Sequence, residues 1–156
     1  PHLQAAQPTF YDDLAKASTE QRRVILMPFQ QPMVERNVVA VAMCDYSWIE
    51  FCENLAWHHH KALPQTPLLM NVMDQKTMGW CSTHLAIHMP IVCVYPPKTT
   101  MHKKRGCHYD PMDDAFWAKQ EAQMSGKWMR IVTCKMEALR ALLVVGVHIF
   151  FEDSDA

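Results

Sequence analysis

Cys81, His84 and His88 have the spacing C-x-x-H-x-x-x-H. On a helix, positions i, i+3 and i+7 share a face, so one thiolate and two imidazoles could converge on zinc. His102, Cys107 or His108, in the loop that follows, could supply a fourth ligand. The plainer reading is coincidence. Nine histidines generate i, i+4 pairs readily, and no glutamate accompanies this pair as it does in H-E-x-x-H. Cys134 is the best nucleophile candidate. It falls between an expected strand and a helix N-terminus, a position that lowers a thiol pKa. Its plainer reading is a buried, inert thiol.

In open α/β sheets, ligands lie beyond the carboxyl ends of the strands. That rule selects Asp45, Asp74, Lys98 and Lys135, each just after an expected strand. This mix of carboxylate and ammonium suits a small polar ligand. The competing reading makes Asp45 and Asp74 helix caps and Lys135 a solvated first-turn residue. Lys98, Lys103, Lys104 and Arg105 form a basic loop that could hold a small anionic ligand or simply be solvated. His58, His59 and His60 are consecutive, so about 100° separates neighbours on a helix and they cannot act as one face. His59 falls near the core edge.

Other chemistries lack their motifs. No G-x-G-x-x-G and no G-x-x-x-x-G-K-[ST] occurs, and the four glycines are far apart. A standard dinucleotide or phosphate cradle is therefore disfavoured. No G-x-S-x-G elbow occurs either.

The elements that must position these residues follow from periodicity. Residues 10–21 read as a helix, with Thr9 as its cap and Phe10, Leu14 and Ala17 on one face. Residues 22–29 read as a strand. Residues 38–43 form a continuous apolar run, the mark of a strand buried on both faces. A helix follows from Asp45 to Leu63, stopped by Pro64. Strands are expected at 67–73 and 89–95, with a weaker helix from Asp74 to His88 between them. Residues 96–109 are the one long loop. Asp110 and Pro111 start a helix that runs to Ser125, with Gly126 as its end signal. Residues 128–133 read as a strand, 135–143 as a helix and 144–151 as a last strand.

Strands separated by helices predict βαβ units. The expected fold is a single doubly wound α/β domain with a mainly parallel sheet of about six strands. The strands at 22–29 and 38–43 lack an intervening helix and could form an antiparallel edge hairpin. Residues 1–9 are expected to be a loose arm.

Composition agrees with a globular domain. The chain has 156 residues, 49% apolar and 20% charged, enough to bury a core without cross-links. Its net charge of −1 argues against a dedicated nucleic-acid binder. No apolar run reaches the length of a membrane span, and no signal peptide is visible. The six cysteines include no C-x-x-C and read as reduced thiols in a cytoplasmic protein. Residue usage is flattened. Glycine occurs four times and serine five, but methionine twelve times and histidine nine. Such flattening points to an artificial or imperfectly known sequence ahead of an unusual natural one.

Residues 38–92 resemble the N-terminal half of dihydrofolate reductase. The resemblance rests on Met43, Ile49, Leu55-Ala56-Trp57-His58, Leu63, Pro67-Leu68-Leu69-Met70 and Gly79, with Asp113-Asp114-Ala115 similar to a later helix start. It implies a reductase using a nicotinamide dinucleotide. The departures are large. Ala62 stands at the position of that family's catalytic acid, Val132-Thr133 replace its glycine pair, and Val72 replaces its arginine. No site residue carries over. The chain therefore reads as an α/β domain of unassigned function and without a cofactor. The alternatives are a small-ligand enzyme at the strand ends, reductase-like in its resemblance, and a zinc-binding module.

Overall fold

Alternation along two strands divides the interior into two layers. Ala40, Ala42 and Cys44 face one side of the sheet, and Val39 and Val41 face the other. All five are buried, so this strand needs helices on both faces. The computed structural model describes residues 4–29, 31–33, 36–98, 107, 110–118 and 126–153, with 31–33 and 36–37 by backbone alone.

The described strands are β1 (Gln31–Met33), β2 (Arg36–Cys44), β3 (Leu68–Val72), β4 (Ile91–Val94) and β5 (His148–Glu152). Four are parallel, in the order β5-β2-β3-β4. β1 pairs antiparallel with the start of β2. Val38 lies opposite both Gln31 and His148, so β1 and β5 flank β2 on opposite sides.

The helices are α1 (Phe10–Lys16), α2 (Thr19–Leu26), α3 (Ile49–Ala62), α4 (Gln75–Trp80), α5 (Asp114–Trp117) and α6 (Gly126–Val144). A 3-10 turn, Tyr46–Trp48, leads into α3, and a π-helical turn, Cys81–Leu85, continues α4. Cys52 and Ala56 of α3, with Met78, Cys81 and Leu85, cover one face of the sheet. Phe10, Tyr11 and Leu14 of α1, Leu26 of α2, and Ala138 and Leu142 of α6 cover the other. Each Leu or Val buried this way contributes roughly 1.5–3 kcal/mol of transfer free energy.

The α/β class and the parallel sheet agree with the sequence reading. Three expectations need correction. First, Trp128–Thr133 is helix, not a sixth strand. Its β-branched residues favour a strand locally, but Lys127, Cys134, Ala138 and Leu142 are all buried. Their spacing is one helical stripe, and the packing of that stripe overrides local propensity. Gly126 is itself helical and not an end signal; residues 119–125, the rest of the helix expected from Asp110 to Ser125, lie outside the described residues. Second, residues 22–29 belong to α2 and a following 3-10 turn. Ser18 caps α2 reciprocally with Gln21 and splits the expected helix 10–21 in two. The edge hairpin is therefore formed by β1 and β2. Third, the described part of the N-terminal arm, residues 4–9, is tied down; residues 1–3 lie outside the described residues. Gln7 N donates to Cys93 O at 2.9 Å and Cys93 N to Ala5 O at 2.9 Å, so residues 5–7 cover the outer edge of β4.

The six cysteines are not thiols. They form the bonds Cys44–Cys52, Cys81–Cys93 and Cys107–Cys134. The first two join a helix to a strand within one core layer, and the third joins the segment before α5 to α6. The reduced-thiol expectation is corrected, and with it goes the ground for a cytoplasmic assignment.

Candidate functional site

The carboxyl ends of β2 and β3 bring Asp45 and Asp74 together, as the strand-end rule anticipates. Asp45 follows β2 and accepts from Ser47 N at 2.8 Å and from Ser47 Oγ. Asp74 follows β3 and accepts from Thr77 N at 2.8 Å, Thr77 Oγ1 at 2.7 Å and Tyr46 N at 2.9 Å. Both are helix-start caps, and Asp74 also fixes the turn that carries Tyr46. Tyr95, at the end of β4, feels the same carboxylate. Its own burial, then the charge of Asp74, push its phenol above the usual range.

Lys127 completes this end of the sheet. It lies in the first turn of α6 and is only 2% exposed. Its ammonium donates to Asp45 Oδ1 at 3.1 Å, Ser47 Oγ at 2.7 Å and Trp117 O at 2.9 Å. An ammonium has three N–H bonds, and here each has an acceptor. The arrangement pins α6 and α5 to the end of β2. Lys127 donates to Ser47 Oγ, whose own proton goes to Asp45, so this contact does not make Ser47 a nucleophile. Lys127 and Ser47 were not among the sequence candidates. The signal for Lys127 was its place seven residues before Cys134, on the buried stripe of α6.

The remaining candidates are dispersed. Cys134 is bonded to Cys107 and Cys81 to Cys93, so none of these sulfurs is a thiolate. The zinc set is not assembled. Cys81 is buried in the core, whereas His84 is exposed, stacks on Trp80 and lies 3.5 Å from Glu53. His88 is also exposed. Among the described residues no group of three His, Cys, Asp or Glu side chains could hold a metal ion. Lys135 donates to Asp153 at 2.9 Å and lies over the Phe151 ring. Lys98 is exposed. Lys103, Lys104, Arg105, His102 and His108 lie outside the described residues.

A second locus was not read from the sequence. Between α3 and β5 runs a groove of about 810 Å³, lined by Phe51, Leu55, Leu63 and Phe150, with His58, His59 and Glu152 among its polar groups. Phe51 is 45% exposed and Phe150 52%. Alternation along β5 puts Phe150 and Glu152 on the α3 side, while Ile149 and Phe151 pack against the opposite core layer. At the groove floor, His59 is buried and bonded through Nδ1 to Glu152 Oε1 and through Nε2 to Thr66 O. Burial pulls its pKa down. The hydrogen bonds to Glu152 and Thr66, with the charge of Glu152, outweigh that and leave it raised. Both ring nitrogens are committed, so His59 ties α3 to β5 rather than offering a base. The signal for this locus was the run His148-Ile149-Phe150-Phe151-Glu152, whose adjacent phenylalanines must point to opposite faces of a strand.

Among the described residues, no helix is long and apolar enough to cross a membrane. No protein-family model, no curated protein and no solved structure matches the chain.

Proposed function

We propose that this chain is a binding domain whose working surface is the α3–β5 groove together with the outer edge of β5. The occupant is an extended apolar polypeptide segment that adds to β5 as a further strand. The observation that carries this reading is the exposure of Phe150 at the mouth of an apolar groove beside a sheet edge. Main-chain hydrogen bonds to β5 would supply affinity, and every second side chain of the segment would enter the groove. The groove volume of about 810 Å³ lies within the range of ligand sites, roughly 300–1,000 Å³.

Other features support parts of this reading. Helices on both faces of the sheet favour one doubly wound domain. Three disulfides favour an oxidising compartment over the cytoplasm. The flattened residue usage favours an artificial or library-derived chain. In such a chain, an apolar strand edge has not been blunted by selection against pairing.

The test is a titration of isotope-labelled protein with the peptide acetyl-Val-Phe-Val-Phe-Val-amide, followed by amide chemical shifts. Shifts confined to residues 148–152 and to the groove side of α3, and lost in Phe150→Lys, are expected. Saturating peptide that moves no resonance of β5 overturns the reading.

A further inference from the structure

We propose that the segment received by β5 is β5 of a second copy of this chain, paired antiparallel and centred on Phe150. This rests on the groove-and-edge reading above and names its occupant. The two outer edges of the parallel sheet differ. Residues 5–7 cover β4, whereas among the described residues β5 pairs with β2 alone. A strand paired on one side presents alternate backbone N–H and C=O groups on the other, a template for another chain.

The sequence of β5 is complementary to itself about its middle residue. In an antiparallel pair centred on Phe150, His148 stands opposite Glu152 of the second copy, Ile149 opposite Phe151, and Phe150 opposite Phe150. Directly opposed side chains lie on the same face with their Cβ atoms about 4.5–5.5 Å apart. On the α3 face, two exposed phenylalanines would meet, flanked on each side by an imidazole facing a carboxylate. Glu152 Oε1 is held by His59, so Oε2 is the atom that would accept a hydrogen bond from the His148 imidazole of the second copy. On the other face, Ile149 and Phe151 would pack as an apolar pair. Shifting the centre to Ile149 would set His148 against Phe150. Shifting it to Phe151 would set the carboxylate of Glu152 against the Phe150 ring. Only the Phe150 centre matches apolar with apolar and imidazole with carboxylate throughout. The pairing is isologous, so it closes at two copies instead of growing into a fibre.

The experiment is sedimentation equilibrium of the full, oxidised chain across a range of concentrations. It is run beside Phe150→Lys and His148→Glu, with circular dichroism to check that each variant folds. A monomer–dimer equilibrium is expected. Phe150→Lys, which buries two ammonium groups against each other, should weaken it by roughly a hundredfold or more, and His148→Glu, which opposes two carboxylates, by roughly tenfold. Phe150→Cys tests the register independently. All six native cysteines are paired, so mild oxidation should link two copies through the new thiol, and His148→Cys should link poorly. A chain that stays monomeric, or dimerises equally well with Lys at 150, overturns the proposal. If such a chain still binds the Val-Phe peptide at β5, the groove reading survives and only the identity of the occupant is wrong. If it binds neither, both fail.

Discussion

His59 stands between two acceptors, the carboxylate of Glu152 at Nδ1 and the carbonyl of Thr66 at Nε2, 3.0 Å away. A neutral imidazole has one N–H and one lone pair. Two acceptors therefore call for the doubly protonated ring. The pair joins α3 to β5, residues 93 positions apart in the chain.

This relationship sets a pH dependence. The folded-state pKa of His59 is raised, against about 6.5 in the unfolded chain. Its contribution to stability is fully present below the unfolded value and is lost as pH rises through the folded value. Urea unfolding should therefore show lower stability at pH 9 than at pH 6, after allowance for other groups. His59→Gln should flatten that part of the profile. An unchanged profile in the variant would remove the charged imidazole from the account.

The Lys127–Asp45 pair makes a second prediction. Removing one member of a buried ion pair strands the other charge and costs about 3–5 kcal/mol. Lys127→Met should lose that much in denaturant unfolding, because Asp45 stays only 3% exposed. The double variant Lys127→Met with Asp45→Asn should recover a large part of the loss. Additive losses would show that the two residues act independently.

The disulfides give a graded prediction. Their sequence separations are 8, 12 and 27 residues. Loop-closure entropy assigns them about 2.5–3.6 kcal/mol each, with the longest loop worth most. Replacing Cys107 and Cys134 by Ala together should therefore destabilise more than replacing Cys44 and Cys52, which close the shortest loop. In the native protein, iodoacetamide should modify no cysteine until a reductant is added. Alkylation of the untreated protein would show that the bonds are incomplete.

Gly146 ends α6 with a φ of +86°, and a Cβ placed there would meet nothing within 4 Å. The cost of Gly146→Ala is then conformational alone, about 1–2 kcal/mol. A smaller loss for Gly146→Asn, read from thermal melts, would fit the tolerance of asparagine for this region.

The apolar runs at 38–43, 67–73 and 89–95 were legible as strands because they are short, rich in branched residues and buried on both faces. The amphipathic stretch after Asp45 was legible as a helix because its apolar spacing is helical throughout. Residues 128–133 were not legible. Their local propensity favours a strand, and the stripe that makes them helical spans Lys127 to Leu142, well beyond these six residues. Asp45 and Asp74 were legible both as strand-end residues and as helix caps, because their cap partners Ser47 and Thr77 are two and three residues away; the ion pair of Asp45 with Lys127, 82 residues distant, was not. The cysteine pairing was hidden for the same reason. Each bond joins separate elements, and no spacing in the sequence marks it. The groove had only the β5 run as a sequence signal, because α3 and β5 are brought together only when β5 adds beside β2.

Residue-resolved amide exchange of the dilute, folded chain tests the open β5 edge most directly, with and without the Val-Phe peptide. Alternate amides within residues 148–152 should exchange far faster than those of 91–94, whose outer edge is covered, and should become protected when the peptide is added. If every amide of 148–152 is as protected as those of 91–94 in the free, dilute protein, the β5 edge is already closed and the proposed binding surface does not exist.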